Sequence, residues 1–120
     1  MMVDNSAKII YHMTPLATWE AQLEQPVYRP PSLIQEGFIH CTAELKKLEQ
    51  VANHFYRGSP GSFIIVCIAV ERLDVELRWE MVDDHVFPHI YGGLNRSAVV
   101  DVAPFPRNAS NWFVLPPELR

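Results

Sequence analysis

Only two of the 120 residues are cysteine, five are glycine and three are lysine. Cys41 and Cys67 lie far apart and form no CxxC pair, which excludes a disulfide framework and a dithiol redox motif. Each stands in an apolar run and reads as a small buried hydrophobe. Long hydrophobic runs are missing as well. The longest, residues 63–70, is far short of the roughly 20 residues that span a bilayer, so no membrane partner is expected. The N-terminal stretch carries Asp4 and Lys8 with no apolar run before Ile9, which reads as no signal peptide and a cytoplasmic location. Positive charge is scarce: the formal net charge is -4. That argues against nucleic acid as a partner, because such binding needs a positive field to displace phosphate counterions. Metal-binding spacings such as HxH and HExxH are absent, as are repeats and low-complexity segments.

What remains is enough for one folded unit. A hydrophobic fraction of 48% supports a core, and the length suits a single domain over residues 1–120, with an ordered core at about 8–115. Ten prolines, most of them between apolar segments, predict short elements and fixed loops. Residues 8–13 read as a strand, and Thr14-Pro15 as a capped helix start. That helix is expected to run to about Gln25, with Leu16, Trp19 and Leu23 on one face, until Pro26 ends it. Residues 27–36 are polar and proline-rich and read as a loop. Residues 37–41 read as a strand, and Thr42 as the cap of a helix with Leu45, Leu48, Ala52 and Phe55 in its buried stripe, stopped by Gly58. Residues 63–70 are apolar on both parities, as in a central strand covered on both faces. Residues 77–82 alternate and read as a more exposed strand. Asp83-Asp84 turn the chain into a strand at 86–91, Gly92-Gly93 close it, 97–102 form another, and 108–115 read as a last edge. Helices early and strands late give an α+β fold.

The residues with chemistry sit on these strands. His12 ends the first strand on the face of Ile10 and Thr14, ahead of a helix start whose free amides favour an anion. His40, in GFIHCT, shares a face with Phe38 and Thr42 and also precedes a threonine-capped helix start. In FPHIYGG, Phe87, His89 and Tyr91 point one way, and aromatic rings with an imidazole suit stacking on a planar base and bonding its sugar. A single strand histidine is often structural, but two strand–histidine–threonine–helix arrangements in one small domain argue for a shared ligand pocket. Arg29, in VYRPP, is a candidate anion contact. His54 and His85 are expected to face solvent. Glu36 and Glu80 are the carboxylates nearest in sequence to the site segments, without a paired-acid arrangement.

The segments Tyr11-His12-Met13-Thr14, Gly37-Phe38-Ile39-His40-Cys41-Thr42, Val51-Ala52-Asn53-His54-Phe55-Tyr56, Leu77-Arg78-Trp79-Glu80 and Phe87-Pro88-His89-Ile90-Tyr91-Gly92 together resemble a bacterial family, a domain of unknown function of about this length. The resemblance runs from Ile9 to Val102. That family in turn resembles the ADP-ribosyltransferase fold, which implies a split, mainly antiparallel β-sheet with two or three short helices. In those enzymes and the related RNA 2′-phosphotransferases, a histidine ending the first strand contacts the NAD ribose, the position His12 matches. Ile39-His40 resembles an Ile-His pair of the phosphotransferases. Glu80 is the candidate for the transferases' glutamate, although the surrounding motif is not matched, and the phosphotransferase arginines have no clear counterpart.

Three readings follow. In the first, the pocket takes NAD or an ADP-ribose-like nucleotide, with ribosyl transfer or glycohydrolysis carried by His12, His40 and Glu80. Thr14, Arg29, Thr42, Phe87, His89 and Tyr91 complete the binding set. In the second, the same pocket holds a metabolite without turnover. In the third, His12, His40 and His89 form an open metal site, with Cys41 on the wrong strand parity to join them.

Overall fold

The computed structural model describes residues 6–119; the stretch bearing Asp4 lies outside them. Along the chain run β1 (Ile9–Pro15), α1 (Leu16–Glu20), β2 (Val27–Tyr28), α2 (Pro31–Glu36), β3 (Ile39–His40), α3 (Leu45–Phe55), β4 (Phe63–Ala69), β5 (Glu76–Val82), β6 (His85–Tyr91), β7 (Leu94–Asn95) and β8 (Val99–Phe105). Single 3-10 turns cover Val70–Arg72, Arg96–Ala98 and Pro117–Leu119. All strand pairs are antiparallel. They form two three-stranded sheets, β1-β4-β8 and β3-β6-β5, and a two-stranded ribbon, β2-β7. The α+β class expected from the sequence is therefore the one observed.

The apolar run on both parities becomes β4, whose seven residues are all buried between β1 and β8. Ile64, Val66 and Ile68 pack on one face with Ile10, Trp19, Tyr28, Ile39, Ile90 and Leu94. Phe63, Ile65 and Cys67 pack on the other with Leu48, Ala52, Phe105 and Phe113. At about 1.5–3 kcal/mol for each large side chain removed from water, this strand anchors both cores. Between Cys67 and Ile68 the pairing with β8 shifts register, leaving Val100 as the extra residue. The β5–β6 hairpin turns on Asp83 and Asp84, both at positive φ (48° and 64°), the geometry that matches the twist of the flanking strands.

Several expectations are corrected. Thr14 does not cap a helix. It is the sixth residue of β1, paired with Ile64, and its hydroxyl is bonded to the Tyr28 hydroxyl at 2.7 Å. The β1–β4 ladder runs through Pro15, so α1 starts only at Leu16 and ends at Glu20; Leu23 lies beyond it, exposed. Thr42 does not cap either. Its backbone pairs with Tyr11, and α3 begins at Leu45 after Glu44. The loop at 27–36 holds β2 and α2, because Pro31 suits a first helical turn and Gly37, at φ 86°, ends it. In α3, Leu48 and Ala52 are buried as expected, whereas Phe55 is exposed. The last sheet strand starts at Val99 after a 3-10 turn, and the tail contributes only an Arg107–Phe113 bridge. Asn53 holds that tail like a missing strand: its amide donates to the Phe113 carbonyl at 3.0 Å and accepts from the Phe113 N–H at 2.7 Å.

Candidate functional site

The two sheets meet where β1 passes the end of β3. Tyr11 N–H donates to the Thr42 carbonyl and Thr42 N–H to the Tyr11 carbonyl, both at 2.8 Å. Beside this seam opens a cavity of about 540 Å³, within the range that takes a drug-sized ligand. His12 reaches it from β1, His40 from β3, His89 from β6, and Ser32 and Glu36 from α2. Phe38, Phe87, Tyr11, Phe55 and Tyr56 supply aromatic wall, and Leu48, Val51, Val82, Met13, Cys41 and Thr42 complete it. Gly37 sets the wall locally, since its left-handed φ turns the chain out of α2 directly into Phe38.

Each histidine is held differently. His12 is buried, and its Nδ1 lies 2.7 Å from the His40 carbonyl oxygen. A carbonyl can only accept, so Nδ1 carries the proton and Nε2 is a bare lone pair. That Nε2 is buried with no partner among the described residues. Burial lowers the His12 pKa from 6.5 to about 4, opposed by the His40 carbonyl and reinforced by the His40 imidazole. His12 is therefore neutral at physiological pH.

His40 is half-exposed and pairs through Nε2 with the Glu36 carboxylate. His89 is buried, with Nδ1 2.8 Å from Glu80 Oε1. The same carboxylate oxygen accepts from the Tyr91 hydroxyl at 2.5 Å. The Tyr91 hydroxyl and the His89 imidazole hold the Glu80 carboxyl below the usual range. Phe38 stacks on the His89 ring at 4.2 Å between centroids, and the His40 ring meets His89 edge-on at 5.4 Å. The Arg78 guanidinium lies 4.2 Å over Tyr91 and bonds Glu76 at 2.9 Å. Two carboxylate–imidazole pairs thus flank one cavity, an arrangement that fixes ring orientation and tautomer for proton transfer.

Of the residues expected at a ligand site, the structure brings His12, His40, Thr42, Phe87 and His89 to the cavity wall. Glu80 and Tyr91 are not on the wall: Glu80 bonds His89, and Tyr91 bonds Glu80. Thr14 lies off the cavity, bonded to Tyr28, and the exposed Arg29 bonds Gln22 through its backbone. His54 is exposed; His85 is half-buried against the Phe87 ring rather than solvent-facing. Glu36 and Phe38 carry more of the site than the sequence reading gave them. The available signal was spacing: Glu36 and His40 are four residues apart across a glycine that redirects the chain. Cys41 is part of the wall, and burial pushes its thiol pKa up, away from thiolate chemistry. Among the described residues, no three His, Cys, Asp or Glu side chains group so as to hold a metal ion. No helix among them is long and apolar enough to cross a membrane.

A second hollow of about 300 Å³ lies by Phe63, Phe105 and Arg107. The Arg107 guanidinium is occupied there by the carbonyls of Arg57, Ser59 and Gly61 and by Asn111, which makes it a loop tie.

Comparison with known proteins agrees with this architecture. The crystal structure of protein CC0527 from Caulobacter crescentus superposes with a TM-score of 0.80 at 26% identity, over 92% of this chain and 97% of that one. A double mutant of the same protein gives 0.79 at 26% identity with the same coverage. Its solution NMR structure gives 0.71 at 25% identity, over 87% and 90%. No curated protein matches. The family model described as "Protein of unknown function (DUF952)" matches residues 13–102, a span that holds the Glu36–His40 and Glu80–His89 pairs and most of the cavity wall. The chain belongs to the DUF952 family.

Proposed function

We propose that the cavity binds NAD or an ADP-ribose-like nucleotide and supports cleavage or transfer at the ribosyl C1. The observation that carries this reading is an aromatic-walled cavity lined by His12, whose buried Nε2 lone pair has no partner among the described residues. A buried acceptor left without a donor costs about 1–3 kcal/mol, and a ligand hydroxyl removes that cost. A ribose supplies hydroxyls, and its attached ring suits the walls of Phe38, Phe87 and Tyr56. The diphosphate is poorly served inside, since no Arg or Lys lines the cavity. The Lys47 ammonium, 5.8 Å from the centre of the Phe87 ring that lines the cavity, is the cation offered to it. Division of the strands into two sheets with histidines at their seam supports the likeness to the ADP-ribosyltransferase fold.

A thermal-stability screen against NAD, ADP-ribose and other nucleotides tests the reading, because a ligand selective for the native state raises the melting temperature. The expected result is a rise of several degrees with NAD or ADP-ribose that His12→Phe abolishes. A rise that survives in His12→Phe overturns the assigned contact. No rise with any adenine nucleotide overturns the reading. Binding without nicotinamide release makes the cavity a binding module.

A further inference from the structure

We infer that a second copy of this chain docks on the free edge of β5, so that the two β5 strands pair antiparallel about Trp79 and the second copy's Arg78 meets Glu80. The inference does not depend on what the cavity binds. Three features carry it.

The first is the edge itself. β5 is the last strand of its sheet. Cys41 N–H donates to the Pro88 carbonyl at 3.2 Å, so the Pro88 backbone faces β3. Trp79 stands opposite Pro88 and therefore presents its own N–H and carbonyl away from β6. Leu77 and Met81 face the same way, and among the described residues no backbone group pairs with them on that side. The edge at β8 is closed by contrast. There the Asp101 carboxylate accepts from Val102 N–H at 2.8 Å, Pro104 has no N–H to offer, and the ladder carries a bulge. Those are devices that keep a strand from pairing with another chain. β5 has no proline, and its register with β6 is unbroken.

The second feature is self-complementarity. Antiparallel pairing about Trp79 sets Trp79 opposite Trp79, Leu77 opposite Met81, and Arg78 opposite Glu80, each with its counterpart in the other copy. The outward groups of Leu77, Trp79 and Met81 then exchange about six backbone bonds. Met81, 62% exposed, gains an apolar neighbour. Centring the pair on Arg78 instead sets Arg78 against Arg78 and Glu76 against Glu80. Centring it on Glu80 sets Glu80 against itself. Opposite charges across a ladder stabilise it and like charges repel, so of these registers only the one about Trp79 is free of like-charge pairs.

The third is where those charges stand. Arg78 lies opposite His89 on β6, and Glu80 opposite Phe87, both of which line the cavity. The bonds from His89 and Tyr91 to Glu80 both end on Oε1, which leaves Oε2 for another donor. The half-exposed Arg78 bonds Glu76 through one guanidinium nitrogen, which leaves the others for an acceptor. Directly opposed side chains of a non-hydrogen-bonded pair come closest across an antiparallel ladder. The second copy's Arg78 therefore reaches Glu80, and the carboxylate that holds His89 is held in turn by the other subunit. Arg78 is a positioning residue supplied across the interface.

Sedimentation equilibrium and amide exchange by NMR, both on the full chain, test the inference. Expected are a reversible dimer with a Kd of about 100 µM or tighter, and amides of Leu77, Trp79 and Met81 whose exchange slows as concentration rises. Arg78→Glu and Glu80→Arg each meet like charges in their own dimers, and each should weaken association about tenfold or more. Mixed in equal amounts they meet opposite charges at both positions, and should pair with each other about as tightly as the native chain does. If circular dichroism shows Glu80→Arg unfolded, Met81→Pro takes its place; it removes an N–H that β6 does not use and should weaken association about tenfold or more. No dimer at about 100 µM overturns the inference. So does a dimer indifferent to Arg78→Glu, or edge amides whose exchange ignores concentration. Failure of the two folded charge variants to pair with each other overturns the register, and with it the contact between Arg78 and Glu80.

Discussion

Lowering the pH from 7 to 4 should destabilise the protein through His12 alone by about 3 kcal/mol. The His12 pKa is 6.5 in an unfolded chain and about 4 in the folded one, chiefly because burial disfavours the imidazolium. Between those values the unfolded chain binds a proton that the native protein refuses, so stability is full above 6.5, falls as pH drops, and levels off below about 4. A difference of about 2.5 pH units at roughly 1.4 kcal/mol each gives about 3 kcal/mol. His12 is buried, so solvent screening takes little from this figure. Domains of this size are stable by only about 5–15 kcal/mol, so the effect is large. Urea unfolding at half-unit pH steps, in the native protein and in His12→Gln, isolates it. Glu80 and the other carboxylates contribute to both curves and cancel in their difference. That difference should be flat above pH 7 and narrow by about 3 kcal/mol by pH 4. Parallel curves would falsify the assignment of a depressed His12 pKa. Should His12→Gln be too unstable to measure, the His12 ring resonance of the native protein, followed against pH, must titrate near 4 and not near 6.5.

Further perturbations follow from the same geometry. Thr14→Val leaves the buried Tyr28 hydroxyl without its partner and should cost about 1–3 kcal/mol by urea unfolding; adding Tyr28→Phe should recover part of the loss. Gly93→Ala should destabilise by about 1–3 kcal/mol or more, because a Cβ there would sit 2.2 Å from Val27 Cγ1 across the β2–β7 ribbon. A melting temperature unchanged by that substitution would show that the ribbon yields freely. Asn53→Ala removes both bonds to the Phe113 backbone and should cost about 2 kcal/mol, with hydrogen exchange at the Phe113 amide accelerated well beyond that at Ile65.

The parts of this fold that could be read from the sequence were those where local pattern and final burial agree. The run at 63–70 is apolar on both parities because β4 is covered on both faces, whereas the alternation at 77–82 holds only through Trp79, with Met81 and Val82 exposed toward the hairpin end of the edge strand β5. Pattern failed where a long-range ladder outbid a local signal. Thr14-Pro15 and Thr42 both look like helix caps, yet Thr14 faces Ile64 across β4 and Thr42 pairs with Tyr11. Backbone pairing across some thirty to fifty residues decided each case, and nothing within a window of ten residues records it. Sequence did place three histidines in one cavity. It named Glu36 and Glu80 as nearby carboxylates but not their pairing with His40 and His89, because Glu80 reaches His89 only through the hairpin register that sets Glu80 opposite Phe87. Arg29 and Thr14 looked suited to a ligand by residue type, but chain direction sends both elsewhere.

The seam between the sheets has one further consequence. His12 hangs from one sheet and His89 from the other, while the Tyr11–Thr42 pair of backbone bonds stitches the two together beside the cavity. A molecule touching both histidines would act as a rivet across that joint, and rocking of one sheet against the other would strain the same two bonds. The amides of Tyr11 and Thr42 are thus a built-in strain gauge, whose exchange with solvent should slow on filling the cavity even where no ligand atom reaches them.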